Sequence, residues 1–190
     1  MRSGLEASRV SIRSRCWLSV RRLAGVSVLV VLASSPGRAQ DITPVVTEGF
    51  VGAPLRAVWD AWTTLEGLRA WLTPKAEVDL RVGGLIRTNY RENEVLGDPG
   101  TIIYTITEVQ PQRRLSFQIT TPPQNFPFKT AVRQMTTTVY FAAVDERTTA
   151  LRIVDSGFGA DEESQQMRTF FREGDAITLQ RLQFHFRAVR

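Results

Sequence analysis

His185 is the only histidine and Cys16 the only cysteine of the chain, and together they remove most reaction classes. One residue of each type cannot build a multi-histidine or multi-cysteine metal centre. No carboxylate run has the spacing of a calcium loop. A Ser-His-Asp triad would have to combine His185 with Ser116, Ser156 or Ser164, and no nucleophile motif surrounds any of these serines. Gly83-Gly84 reads as a hairpin turn and not as a phosphate-cradling loop. The sequence therefore assigns no catalytic residue, no metal and no cofactor. What remains is acid–base and hydrogen-bonding capacity. His185 lies on the apolar stripe of a helix, where it is either a polar group at one end of a cavity or, the commoner case, a packed histidine near a helix end. Tyr90, Tyr104, Arg133 and Asp175 are the further polar groups placed to reach an interior. An apolar cavity with a few convergent polar groups is what a small-molecule site requires.

The elements that would position these groups read as α+β. Val45–Val51 is a strand, and Pro54 suits the first turn of a helix carrying Leu55, Val58, Trp59 and Trp62 on one face. Thr63-Thr64-Leu65-Glu66 has capping-box form and starts a second helix that ends near Leu72. Its Trp71 completes a trio with Trp59 and Trp62, either a stacking platform or, more often, anchors of a helix pair on a sheet. The alternation in residues 77–82 predicts a strand returning through Gly83-Gly84 to a strand over 85–91. A bulge at the glycines would pair Leu80 with Ile86, placing Val78, Leu80, Val82, Ile86, Thr88 and Tyr90 inside and Asn89 among the outward residues. Strands follow over 101–109, 113–120, 131–144 and 148–156. The loop between the second and third of these carries Phe126 and Phe128, read equally as a lid or as pins. A last amphipathic helix opens on Asp161-Glu162-Glu163, with Met167, Phe171, Gly174, Thr178, Leu182, His185 and Val189 on its inner stripe. Gly174 costs about 1 kcal/mol relative to alanine in such a helix and signals close approach of a neighbour or space left for a ligand.

Residues 1–39 carry seven arginines and one acid, so a chain of net charge +5 becomes one with 17 basic and 18 acidic residues beyond them. Charge alone then gives no reason to expect nucleic acid or anionic lipid as a partner. These 39 residues have the parts of a cleaved export signal: an Arg-rich start, an apolar run over 23–33, and small residues before a cut after Ala39. The apolar run is shorter than the ~20 residues a membrane-spanning helix takes, so no stable span is expected after cleavage. Arg21-Arg22 fits twin-arginine export loosely. The expectation is a periplasmic or secreted domain, residues 41–190, free of thiol and disulfide. A start codon downstream of Met1 is the alternative.

Local sequence adds a resemblance. Ala53-Pro54, Val58-Trp59, Ala61-Trp62-Thr63, Trp71 and Asp79-Leu-Arg-Val-Gly83-Gly84, with Gly100-Thr-Ile, Arg114-Leu-Ser-Phe117 and Ser156-Gly-Phe158, resemble the SRPBCC/START-like superfamily. Within it the likeness is to the heat-shock-protein-90 ATPase activator homologue family. It covers essentially all of residues 41–190. The resemblance implies a helix-grip fold: a curved antiparallel sheet wrapped on a long C-terminal helix, with two short helices after the first strand. It also implies a cavity between sheet and helix for apolar or amphipathic small molecules. The candidates to line it are Trp71, Tyr90, Tyr104, Phe171, Asp175, Thr178 and His185. Family members usually carry Trp after the helix glycine, where this chain has Asp175. The expected role is an extracytoplasmic carrier or sensor of an apolar ligand. The alternative is a cofactor-free enzyme of cyclase or dehydratase type. Activation of a cytosolic chaperone ATPase would apply only if the leader were a misread start. The sequence does not give an oligomeric state.

Overall fold

A computed structural model describes residues 42–188; the export signal expected at residues 1–39 lies outside them. Seven strands form one antiparallel sheet: β1 (Val45–Val51), β2 (Lys75–Val78), β3 (Leu85–Asn89), β4 (Ile102–Gln110), β5 (Arg114–Thr121), β6 (Thr136–Asp145) and β7 (Thr148–Ser156). Their spatial order is β1-β7-β6-β5-β4-β3-β2. Between β1 and β2 run α1 (Leu55–Thr63) and α2 (Leu65–Trp71), and α3 (Glu162–Ala188) closes the chain. The sheet grips α3, as the resemblance implies.

The helix pair is built for anchoring. Trp59 and Trp62 are buried, and Trp59 meets Phe141 of β6 edge-on at 5.1 Å. Thr64, not Thr63, caps α2: the Gly67 amide donates to Thr64 Oγ1 at 3.0 Å, while the Thr63 hydroxyl turns back to the Trp59 carbonyl. A Cβ at Gly67 would lie 2.2 Å from the Asp60 carbonyl oxygen, so glycine is what lets α2 start so close to α1. Arg56 and Asp60 pair on the outer face at 3.6 Å.

The β2–β3 hairpin departs from its expected register. Val78, not Leu80, pairs with Ile86, and Glu77 pairs with Arg87. Leu80 and Val82 leave the ladder and are exposed. Gly83 has φ +79°, and a Cβ at Gly84 would sit 2.0 Å from the Asp79 carbonyl oxygen. The glycines therefore fold residues 79–84 into a turn closed by the Gly84 amide on the Arg81 carbonyl. The slip is even-numbered, so Ile86 and Thr88 still face inward. Asn89, expected outside, is fully buried. Its amide donates to Glu94 Oε2 at 3.0 Å and holds the loop between β3 and β4.

Residues 131–134 form a 3-10 turn and not the start of β6. The inner stripe of α3 keeps its expected phase through Met167, Phe171, Gly174, Thr178 and Leu182, with Asp175 and Leu179 beside it, but not at His185; Val189 lies outside the described residues. The buried residues of the helix are Ser164, Met167, Asp175, Leu179 and Leu182.

The core has two parts. The larger joins α1, α2 and the middle of the sheet to Leu179 and Leu182 of α3. The smaller gathers Val45, Phe128, Val132, Met135, Phe158 and Met167 around the opening of α3.

Candidate functional site

Between these two clusters, under the middle of α3, the sheet and helix enclose a cavity of about 380 Å³. Ile86 and Thr88 of β3, Ile102 and Tyr104 of β4, Phe117 and Ile119 of β5 and Ile153 of β7 give it a floor. Trp62 and Leu68 close one side, and Phe126 of the loop after β5 another. Phe171, Gly174, Asp175 and Thr178 of α3 form the roof. Nothing lies within 4 Å of the place a Gly174 Cβ would occupy, so the glycine opens space and does not admit a neighbour. The two loop phenylalanines divide their tasks. Phe128 is buried in the smaller cluster, while Phe126 stands in the cavity wall, edge-on to Phe128 at 5.5 Å and to Phe170 at 5.8 Å.

Polar groups reach this apolar space at three places. Trp62 is 6% exposed and its indole Nε1 has no hydrogen-bond partner. Thr88 lies beside the Tyr90 and Tyr104 phenols, close enough to favour the ionised form of each, yet its Oγ1 makes no bond of normal geometry. Burial pushes the Tyr104 phenol well above its ordinary value, and the neighbouring Tyr90 pushes it further. Tyr90, expected inside, lies just past β3 and is 43% exposed, but it borders the cavity, where desolvation raises its phenol, opposed by Tyr104 and by the charge of Arg181.

The third place is Asp175, 9% exposed. Behind it stands Asp155 of β7, fully buried, which accepts a hydrogen bond from Thr137 Oγ1 at 2.5 Å. Burial first, then the charge of Asp155 and a hydrogen bond to it, push the Asp175 carboxyl up to about 9. Asp175 therefore holds its proton at neutral pH. Oδ2 of each acid is buried without a hydrogen-bond partner, and the proton that Asp175 holds is the one available to bridge the pair. A buried polar atom left without a partner costs about 1–3 kcal/mol, so the cavity wall concentrates unmet hydrogen-bonding capacity.

Of the residues proposed from sequence, Tyr90, Tyr104, Phe171, Asp175 and Thr178 line this cavity. Trp71 and His185 do not. They share a separate surface groove between the end of α2 and the last turns of α3. The Trp71 indole donates to the Ala61 carbonyl at 2.9 Å, with its ring 5.3 Å from that of Trp62, and this tether holds it to the helix pair. His185, at the far end of the α3 stripe, lies on the flank, against Phe186 at 4.9 Å. Arg133 is exposed in the 3-10 turn and is not part of the wall. Asp155 was not singled out from the sequence, although Thr149, Leu151, Ile153 and Asp155 alternate on the buried face of β7, and that period of two was the available signal. Among the described residues no group of three His, Cys, Asp or Glu side chains could hold a metal ion, and no helix is long and apolar enough to cross a membrane.

Comparison with known proteins agrees with the architecture. A Mesorhizobium loti protein superposes with a TM-score of 0.61 at 19% identity, over 77% of this chain and 98% of its own. The Aha1 protein of Colwellia psychrerythraea, determined as a dimer, gives 0.57 at 18% identity over 74% and 93%. A Nitrosomonas europaea protein gives 0.59 at 21% over 78% and 97%. At these identities the likeness is one of fold. No curated protein matches the chain in sequence. The sequence pattern of the family described as activator of Hsp90 ATPase homolog 1-like protein matches residues 52–186, from the turn before α1 to the last turn of α3. The chain belongs to the activator of Hsp90 ATPase homolog 1-like family.

Proposed function

We propose that this protein binds an apolar or amphipathic small molecule in the cavity between sheet and α3, and serves as a carrier or sensor outside the cytoplasm. The observation that carries the reading is the roof at Gly174. A glycine in mid-helix is unfavourable by about 1 kcal/mol, and here it faces open space lined by apolar and aromatic side chains. The cavity lies within the ~300–1,000 Å³ usual for ligand pockets. The export signal read from residues 1–39 supplies the location. Mass spectrometry of lipophilic material carried by the protein purified from the periplasm tests both parts. The expected result is a stoichiometric intact metabolite on a chain beginning at Gln40. A chain retaining Met1 in the cytoplasm would refute the location, and a protein that carries and takes up no lipophilic compound would refute the carrier.

The second reading is a cofactor-free enzyme of cyclase or dehydratase type. Asp175 favours it: a carboxyl that keeps its proton at neutral pH at the edge of an apolar cavity can serve as a general acid. Conversion of the bound compound by wild-type protein but not by Asp175→Asn would select this reading.

A further inference from the structure

The acids of the cavity constrain its occupant. Asp175 stands in the wall and Asp155 directly behind it, and neither takes part in any ion pair found among the described residues. No lysine or arginine contributes to the wall. A molecule with a carboxylate or phosphate head would have to place its charge against two buried acids without a cation to offset it. Buried charges are ordinarily paired or neutralised by a proton; here a proton fills that place, and a cation can take it over.

The rest of the wall suits one. Trp62, Tyr90, Tyr104, Phe117, Phe126 and Phe171 present aromatic surface to the same space, and aromatic faces attract organic ammonium groups, most strongly when water is excluded. A separate observation also points to an occupant. The Trp62 indole N–H, more than nine-tenths buried, is unpartnered on this wall. It can only donate, so it offers a place for an acceptor oxygen on the bound molecule.

Building on the small-molecule site proposed above, we infer that the cavity selects an apolar amine, held as its ammonium ion by Asp175 with Asp155 in support. The incoming ammonium donates N–H to the Asp175 carboxyl. The proton that Asp175 holds then becomes dispensable and leaves to solvent, so the acids bind the cation as carboxylates. The titratable groups around the cavity are Tyr90, Tyr104, Asp155 and Asp175, with Arg181 acting on Tyr90 from the flank of α3. Only the acid pair can release a proton near neutrality, because both tyrosines are shifted upward.

Calorimetric titration with adamantylamine, adamantanol and methyladamantane, three molecules of one shape, tests this. The expected result is binding of the amine at least about tenfold tighter than the alcohol, as charge-assisted hydrogen bonds are stronger than neutral ones. Repeating the titration at pH 7 in buffers of different ionisation enthalpy should show about one proton released per amine bound and none per alcohol. In Asp175→Asn the preference for the amine should vanish while methyladamantane still binds. Equal or tighter binding of the alcohol, or amine binding without proton release, overturns the inference. Binding of methyladamantane with no preference for the amine overturns it too but leaves the small-molecule site standing. Failure of all three to bind defeats both. If Asp175→Asn does not fold, Asp155→Asn replaces it, and the wild-type comparison of amine with alcohol decides independently of either variant.

Discussion

Asp175 lies beside the inner stripe of α3, and its surroundings fix its protonation. An aspartate is ordinarily ionised at neutral pH, but burial and the facing Asp155 raise this one from 3.8 to about 9. Between those values the folded chain holds a proton that the unfolded chain has released. Stability must therefore fall as pH rises across that interval. Asp175→Asn keeps the shape and offers an amide donor to Asp155. The Tm of that variant should exceed the wild-type Tm by a margin that grows from pH 5 to pH 8; parallel Tm profiles would contradict the assignment. Trp71 and His185 test the site from outside. Trp71→Phe removes the bond to the Ala61 carbonyl and should cost about 0.5–1.5 kcal/mol in urea unfolding. Neither Trp71→Phe nor His185→Ala should change the affinity for a cavity ligand, because both side chains sit in the separate groove.

At the scale of elements, α3 is both a structural and a functional part. Its ends are tied to the edge strand region: Arg168 donates to the Thr43 carbonyl, and Gln183 donates to the Phe50 carbonyl. Its middle spans the cavity. Gly174→Ala should stabilise the protein by about 1 kcal/mol, measurable by denaturant unfolding, because the added methyl meets no neighbour. How much of this was legible in sequence differs by element. Strands β1 and β7 and the helix pair were readable because their apolar spacing matched what they bury. β2 misled because alternation continues through Leu80 and Val82, while Gly83 and Gly84 already bend the chain out of the ladder. The stripe of α3 held through Leu182 and misled only at its end. A stripe drawn through apolar residues passes beside Asp175, since an acid is not expected on a buried face, and extended past Leu182 it placed His185 inside. Asp155 hid for the same reason in β7. Two buried acids that face each other are a tertiary fact, set by the packing of β7 against α3, and no local pattern encodes it.

At the scale of the molecule, the sheet is long enough to support two hydrophobic clusters, and the cavity lies where they fail to merge. Wall residues come from both: Trp62, Phe117 and Ile153 from the larger, Ile119 and Phe126 from the smaller. A ligand would join them into one core. An occupant at a hundred times its Kd should thus stabilise the fold by about 2.7 kcal/mol, seen as a rise in Tm. The cavity points to a domain whose working surface is interior.

The central claim is that this interior binds apolar molecules beneath Gly174. Titration with the fluorescent apolar probe N-phenylnaphthylamine, on wild type and on Gly174→Phe, tests it most directly. Saturable one-to-one binding to wild type is expected, and its loss in Gly174→Phe with the fold retained by circular dichroism, because the new ring enters the space beneath the helix. Absence of binding to wild type, or equal binding by the two proteins, would contradict it.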